Sequence, residues 1–283
     1  MQTVISASRR TDIPAFYLDW FISRLRVGEF RLSNPFNGRE RVVQVSRASV
    51  HSLVFWSKNY GPLLGRLPEL RGWNLFFQFT LNSEDKLLEP GVPPLAERRE
   101  QMRLLAGIFG PQAVRWRFDP VACYESGGGK RDNLGGFESL LDFAAGIGLR
   151  ACTVSFMDPY RKIDKREKQV PGFRFIYPDH GRMVETASRM AAQAAGRGIR
   201  LSTCCEQELA RSGIDNLSGG GCIDHALLAG LYGGSLSHVP DRGQRRSAGC
   251  LCHESIDIGS YREQPCRGGC LYCYANPLIR WRS

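Results

Sequence analysis

Residues 183–206, MVETASRMAAQAAGRGIRLSTCCE, place a helix pattern directly before a short strand pattern that ends in two cysteines. Apolar residues recur at helical spacing in the first part, and RLSTCCE (200–206) is typical of a strand. Strand and helix patterns alternate in this way nearly throughout the chain, which favours parallel strands joined by right-handed crossovers. The sequence therefore predicts an α/β fold, a full or partial (β/α) barrel of the TIM type.

The other strand patterns are separated by helical patterns and by three polar segments. We predict further strands at TVISAS (3–8), VVQVS (42–46), LVFWSKN (53–59), NLFFQFTLN (74–82), AVRWRFDP (113–120) and RACTVSFMDP (150–159). The glycine-rich segments 124–136 and 215–222 are expected to be loops, and the charged segment 159–172 is expected to be solvated.

The composition changes near residue 206, after which glycine, cysteine and turn residues dominate. We predict that residues 1–206 form the barrel core. Residues 207–283 are expected to form a Cys-rich, cluster-binding lobe that completes the barrel, so that the two parts make one integrated domain.

The overall composition is that of a globular protein, with 42% hydrophobic and 23% charged residues. No apolar run reaches the length of a membrane helix, and the N-terminal residues lack the apolar core of a signal peptide. A cytoplasmic protein without a membrane partner is the expectation.

The formal net charge of +10 is compatible with nucleic acid as a partner. Of the 38 basic residues, however, 32 are arginine and six are lysine, a skew that coding bias alone can produce. A few buried arginines would serve a small-molecule or anionic substrate equally well. Both kinds of partner stay open at this point.

Polar residues follow or interrupt several of the predicted strands. In the VRWRFDP segment, three charged side chains alternate and therefore share one strand face, where they need partners or a ligand. The carboxyl ends of barrel strands form the active face. The candidate catalytic residues are accordingly Arg115, Arg117, Asp119 and Lys58, and Asn59 and Gln78 are expected to line the cofactor site.

Eight of the ten cysteines lie between residues 204 and 273, a concentration that favours metal ligands over disulfides. The stretch QPCRGGCLYCYANP (264–277) places Cys266, Cys270 and Cys273 in a Cys-x3-Cys-x2-Cys array. Three thiols suit a 4Fe–4S cluster with one iron left open better than a closed zinc site. Two glycines, Gly268 and Gly269, would allow the tight wrap around such a cluster.

A second set of cysteines is predicted to form a closed four-thiol site that holds either a second 4Fe–4S cluster or structural zinc. Its expected ligands are Cys204, Cys222, Cys250 and Cys252. Cys204 is preferred over Cys205 because neighbouring strand residues point to opposite faces. Two further cysteines, Cys123 and Cys152, are expected in the core.

The segment CRGGCLYCYA (266–275) resembles the cysteine array of the radical S-adenosylmethionine (SAM) enzymes, including the aromatic Tyr272 before the third cysteine. Its Cys-x-Tyr-Cys-Tyr form is similar to that of spore photoproduct lyase relatives. From SASRRTDIPAF (6–16) through WRFDP (116–120) and ESIDIGSY (254–261), the chain also resembles a bacterial family catalogued as a domain of unknown function. Members of that family are noted for a radical-SAM-like cysteine cluster at the C-terminus.

The resemblance implies a circularly permuted radical SAM fold in which the strand near ESIDIGSY precedes TVISAS (3–8). It also implies the cofactors S-adenosylmethionine and a 4Fe–4S cluster, oxygen sensitivity, and an external reductant of the flavodoxin or ferredoxin type. In the permuted arrangement, residues 6–12 replace the segment that meets the amino group of S-adenosylmethionine. The expected cofactor-binding residues are Ser6, Ser8, Arg9, Arg10, Thr11, Asp12 and Tyr272.

The leading expectation is therefore a radical SAM enzyme with an unknown substrate. One alternative is a non-catalytic Fe–S or zinc protein that binds nucleic acid through its arginines. Another keeps the cluster but cleaves a different carbon–sulfur bond and transfers an aminocarboxypropyl group.

Overall fold

A parallel sheet forms the centre of the computed structural model, which describes residues 2–33, 38–275, 277 and 278. The strands in these ranges are β1 (Thr3–Ala7), β2 (Glu29–Ser33), β3 (Glu40–Gln44), β4 (Val50–Ser57), β5 (Leu75–Thr80), β6 (Val114–Val121), β7 (Cys123–Ser126), β8 (Gly129–Asp132), β9 (Ala151–Phe156), β10 (Phe173–Ile176), β11 (Arg200–Thr203), β12 (Leu217–Gly219) and β13 (Ile256–Asp257). The helices are α1 (Ile13–Phe16), α2 (Leu18–Val27), α3 (Gly61–Leu64), α4 (Leu95–Phe109), α5 (Phe137–Gly146), α6 (Arg161–Glu167), α7 (His180–Ala195), α8 (Gln207–Ala210) and α9 (His225–Tyr232).

The main sheet contains eight strands in the order β12-β11-β9-β6-β5-β4-β1-β13, and every neighbouring pair is parallel. Helices connect most of these strands, as parallel pairing requires. The predicted α/β class is confirmed. In the described part of the chain, the outer strands β12 and β13 do not pair with each other, so the sheet is open and the closed form of the predicted barrel is not found.

The two faces of the sheet are covered by different material. On one face, large apolar side chains such as Phe55, Phe77 and Trp116 pack with the helices in the main core. On the other face, Val4, Val54 and Phe76 pack with residues of the Cys-rich segment. Because strand side chains alternate, polar residues two positions away from this second group, such as Ser6 and Gln78, face the Cys-rich segment as well.

Residues 207–283 contribute both edge strands of the sheet, β12 and β13. Met1 and residues 279–283, the outer ends of the two predicted units, lie outside the described residues. Among the helices that are described, none combines the length and the apolar character needed to cross a membrane.

Four segments differ from the expectation. Residues 42–46 do not enter the main sheet, because β3 forms a separate antiparallel pair with β2. The loop predicted at 124–136 contains the hairpin β7–β8, whose two-residue turn, Gly127-Gly128, has φ values of 61° and 76° as a type I′ turn requires. The charged segment 159–172 is mostly exposed, as predicted, but contains α6, and 215–222 contains β12.

The two ends of the chain meet in the sheet, since β13 pairs with β1 through Ile5 opposite Ile256 and Ser6 opposite Asp257. The Asp257 carboxylate accepts hydrogen bonds from the Ser6 hydroxyl (2.9 Å), the Ser8 hydroxyl (2.6 Å) and the Arg9 backbone N–H (2.7 Å). A two-residue strand has few ladder bonds of its own. This carboxylate therefore supplies much of the attachment between the ends.

We predict that Asp257→Ala destabilises the protein by about 2–3 kcal/mol, because the three donors lose a charged acceptor in a partly buried site. The measurement is the free energy of unfolding from urea titration. Asp215→Ala, at an exposed position, is the matched control. Equal stability of the two variants would contradict the anchoring role of Asp257.

Candidate functional site

The predicted three-thiol array lies on a loop that passes beside the ends of β1 and β4, and residues 266–275 are called the C-terminal thiol loop below. Cys270 is buried and lies within electrostatic reach of both Cys266 and Cys273. The Gly268 backbone N–H approaches Cys266 Sγ at 3.4 Å, and Gly269 has a φ of 64°, in the left-handed region. Of the two glycines, Gly269 is thus the one whose conformation the turn requires.

Arg166 of α6 holds the C-terminal thiol loop from one side. Its guanidinium donates to the backbone carbonyls of Leu271 (3.0 Å), Cys273 and Ala275 (3.5 Å). The side chain is buried, although it belongs to the segment that was predicted to be solvated. One cation thus fixes the carbonyls of every second residue from 271 to 275, around the thiols.

A second loop, residues 81–92, holds the thiol loop from the other side and is called the Glu89 loop. Its backbone bonds the thiol loop twice, from Gly91 N to the Gly268 carbonyl (3.1 Å) and from Leu271 N to the Leu88 carbonyl (2.9 Å). Leu271 is fully buried against this loop. The position of the thiols therefore depends on the Glu89 loop.

Glu89 is a buried carboxylate, 3% exposed, between two cations. It accepts a hydrogen bond from Lys58 Nζ at 2.9 Å and lies 3.4 Å from Arg98 Nη1, and the Tyr272 hydroxyl donates to it as well. Burial acts to raise the pKa of Glu89, but Lys58 and Arg98 outweigh it and hold this pKa below its usual range. The carboxylate is thus charged at neutral pH.

These contacts define the positions of two predicted site residues. Lys58 pairs with Glu89 and lies 5.4 Å from the ring centroid of Tyr272. The Tyr272 hydroxyl faces Glu89 and Asn82, with Asn82 Nδ2 at 3.2 Å. Through these contacts, Lys58 and Tyr272 connect the thiol loop to Glu89.

Asp12 connects the end of β1, the end of β4 and the thiol loop. Its carboxylate accepts from the Ser57 hydroxyl (2.6 Å), Lys58 N (3.2 Å) and, as the N-cap of α1, Ala15 N (3.1 Å). The Asp12 backbone N–H and carboxylate both lie within electrostatic reach of the Cys266 thiol. Burial raises the pKa of the carboxyl to about 6. A carboxylate has about four acceptor directions, so one is left for another donor.

The other predicted cofactor-binding residues near β1 differ in whether their hydrogen-bonding groups are already paired. Ser6 and Ser8 use their hydroxyls on Asp257. Arg10 donates to the Gly259 carbonyl at 3.1 Å. Two buried atoms, Arg9 Nη2 and Thr11 Oγ1, have no hydrogen-bond partner among the described residues.

Asn59 and Gln78, the two remaining predicted lining residues, have different environments. Asn59 Oδ1 accepts from Gly61 N at 3.0 Å and from Gln101 Nε2 at 2.9 Å, so the side chain organises the start of α3. Gln78 donates to the Cys222 carbonyl, while its buried Oε1 is without a partner in the described part of the chain. Gln78 is thus the one that faces the Cys-rich segment.

The three charged residues of β6 face the Cys-rich segment as the alternation predicts. Arg117 is buried, pairs with Asp119, and places Nη1 2.7 Å from Cys222 Sγ. Arg115 also lies within electrostatic reach of Cys222. Burial would raise the pKa of Asp119, but Arg117 and a hydrogen bond from Ser155 hold it below its usual range.

The second set of cysteines comes together as a ring of five thiols, not four. Cys204 Sγ lies 3.3 Å from Cys222 Sγ and 3.9 Å from Cys205 Sγ. Cys252 lies within electrostatic reach of Cys222 and Cys250, Cys250 lies within reach of Cys205, and all five belong to one buried cluster. We call this set the five-thiol ring: Cys204, Cys205, Cys222, Cys250 and Cys252.

The expectation that the Cys204 and Cys205 side chains diverge is wrong for a local reason. Strand β11 ends at Thr203, so strand alternation no longer applies to the two cysteines. Cys205 has a φ of 60°, which turns its side chain back to the ring. The other two cysteines lie apart from both thiol groups, Cys152 in the core as predicted and Cys123 only half-buried.

Within the described ranges, no set of three or more His, Cys, Asp or Glu side chains is arranged to hold a metal ion as it stands. Binding at either thiol group would require side-chain rotation. Burial, aided by Asp12 and Cys273, raises the pKa of Cys266 to about 12, so a bound cation would also have to displace its proton.

Sequence reasoning missed Asp257, Glu89, Arg98 and Arg166. The burial of one of them could have been predicted, because Arg98 lies at helical spacing from the apolar residues Met102 and Leu105 and so shares their buried face. Glu89 and Arg166 lie in stretches rich in charged residues, where one charge does not stand out from the next.

We predict that Glu89→Gln lowers the free energy of unfolding by about 3–5 kcal/mol, because it leaves Lys58 and Arg98 buried without their anion. Chemical denaturation monitored by tryptophan fluorescence gives this value. Glu84→Gln removes a surface carboxylate of the same loop, 3.6 Å from Lys86, and should change stability by less than about 1 kcal/mol. Similar losses of stability in both variants would contradict the role of Glu89 as the buried anion between two cations.

Comparison with known proteins places the chain in one family. No curated protein matches it. The family described as Domain of unknown function (DUF1848) matches residues 4–275. Since this match covers nearly the whole chain, the protein belongs to the DUF1848 family.

Proposed function

We propose that the protein is a radical SAM enzyme whose C-terminal thiol loop carries a 4Fe–4S cluster through Cys266, Cys270 and Cys273. The observation that carries this proposal is the convergence of three thiols on a loop fixed by Arg166 and the Glu89 loop. Three thiolates on one turn fit a cubane whose fourth iron has no protein ligand. When bound, such a cluster supplies the electron for reductive cleavage of S-adenosylmethionine.

The order of strands in the sheet supports a permuted fold. If the chain is read from β13 onwards, the sheet order becomes β13, β1, β4, β5, β6, β9, β11 and β12, which is strictly sequential. Sequential parallel strands are the arrangement of a (β/α) barrel or of part of one. We therefore infer an opened barrel in which the strand beside the thiol loop takes the first position.

The residues at the ends of β1 and β4 suit the binding of a zwitterionic amino acid moiety. Asp12 lies next to Cys266 and keeps one acceptor direction for an ammonium group. Arg10 is only partly buried and uses one guanidinium N–H on Gly259, which leaves others for a carboxylate. Thr11 Oγ1 supplies a buried hydroxyl in the same turn.

The charged face of β6 suits the substrate. Arg115, Arg117 and Asp119 lie on the face of the sheet that the Cys-rich segment covers, away from the main core. Such a face favours a small-molecule or anionic substrate bound in a site that excludes water. Electrons would come from an external reductant of the flavodoxin or ferredoxin type.

Anaerobic reconstitution tests the proposal. We predict that the reconstituted protein, given dithionite and S-adenosylmethionine, forms 5′-deoxyadenosine, and that Cys270→Ala reduces this product to background. Chromatography with mass detection measures it. Cys123→Ala, which removes a half-buried thiol outside both thiol groups, should retain the activity. Formation of methylthioadenosine in its place would indicate aminocarboxypropyl transfer, and no nucleoside product would contradict the proposal.

We also predict that Asp12→Asn weakens S-adenosylmethionine binding about tenfold, because a charge-assisted hydrogen bond contributes roughly 1.5 kcal/mol. The asparagine Oδ1 can still cap α1 and accept from Ser57, so of the three hydrogen bonds only the one from Lys58 N is lost. Equilibrium dialysis measures the affinity, and Asp215→Asn, at an exposed position, is the control. Unchanged affinity in Asp12→Asn would place the ammonium group elsewhere.

A further inference from the structure

The five-thiol ring plays no part in the proposed radical chemistry at the C-terminal thiol loop. Its members come from three separate segments, which follow β11, follow β12 and precede β13. Three of them, Cys222, Cys250 and Cys252, are buried. Free cysteine is common in cores, but it is commonly surrounded by apolar side chains rather than by four other thiols.

The surroundings of the ring are cationic. Arg117 pairs with Asp119 and places Nη1 2.7 Å from Cys222 Sγ, so this buried cation directly contacts one sulfur of the ring. Arg9 lies within electrostatic reach of Cys252 and Cys222, and its guanidinium is 5.3 Å from the ring centroid of Trp56. Its Nη2 is buried and finds no acceptor among the described residues.

Buried guanidinium groups require negative charge close by. Arg9 and Arg117 have Asp241 and Asp119 as carboxylate partners, and Arg115 adds a third cation beside Cys222. Neutral thiols would give these cations little electrostatic stabilisation. Thiolates held by a metal would offer net negative charge, since four thiolates carry more charge than a divalent zinc ion or a 4Fe–4S core neutralises.

We propose that the five-thiol ring binds a second metal centre through four thiolates, with Arg117 and Arg9 as its buried counter-ions. The centre is a thiophilic one, either zinc or a 4Fe–4S cluster, and the thiols turn inward to reach it. Cys204, Cys222, Cys250 and Cys252 are the ligands, and Cys205 is the fifth thiol. This proposal stands independently of S-adenosylmethionine chemistry at the C-terminal thiol loop.

Metal analysis of a full-length variant that lacks the other thiol group tests it. In the triple variant C266A/C270A/C273A we expect either about one zinc, or about four irons with four sulfides, per chain. Adding Cys222→Ala and Cys252→Ala should abolish that metal. Adding Cys123→Ala and Cys152→Ala in their place, which removes two thiols outside the ring, should leave it. Zinc and iron–sulfur loading both support the proposal and identify the centre.

The proposal is overturned if the triple variant is folded by circular dichroism and holds no more iron or zinc than the variant without Cys222 and Cys252. It is also overturned if mass spectrometry finds the ring cysteines paired as disulfides in metal-free protein. Neither result bears on 5′-deoxyadenosine formation by the intact chain, so this proposal and the proposed function fail separately.

A second measurement in the intact chain addresses the counter-ions. Arg117→Met should speed the loss of the ring metal to a chelator by about tenfold, the effect typical of a group that supports metal ligands. Arg103→Met, which removes an arginine paired with Glu100 at the surface, should leave the rate unchanged. Equal rates in the two variants would refute the counter-ion role.

Discussion

The Asp257 carboxylate joins the two ends of the chain, and the location of the thiol loop follows from that attachment. Asp257 lies in a two-residue strand that pairs with β1, and it accepts hydrogen bonds from Ser6, Ser8 and Arg9. The segment that follows Asp257 therefore leaves the sheet beside the end of β1. The Tyr274 hydroxyl then donates to the Arg9 carbonyl at 2.6 Å, which returns the loop to the same strand end. Residues distant in sequence thus share one edge of the sheet.

Buried charge, more than apolar packing, fixes the loops around the thiols. Apolar contacts are non-directional, whereas a buried charge tolerates only arrangements that supply its partners. Glu89 has Lys58 and Arg98 on either side, and Arg166 binds three carbonyls of the thiol loop. Loss of Glu89 would leave two buried cations without their anion, so the loops have few alternative conformations of similar free energy.

The sequence predicts the central strands within a few residues, because β4 and β5 are buried on both faces and contain apolar runs, while β6 alternates apolar with charged residues. It fails where the outcome depends on partners. Residues 42–46 are rich in valine like a strand of the main sheet, yet this composition does not specify that β3 pairs with β2. The cysteines of the C-terminal loop stand out by spacing alone. Glu89 does not, since its role comes from residues that the fold brings to it.

The two thiol groups are connected through β6. Arg117 contacts Cys222 of the five-thiol ring and pairs with Asp119. The Asp119 backbone N–H donates to Asn82 Oδ1 at 2.9 Å, and Asn82 Nδ2 lies 3.2 Å from the hydroxyl of Tyr272, between the thiols of the C-terminal loop. Residues that share a hydrogen-bond network have non-additive energies. A change at Asn82 therefore removes both the bonds to the Asp119 backbone and the bond to Tyr272, whereas a change at Arg166 reaches the C-terminal thiol loop alone.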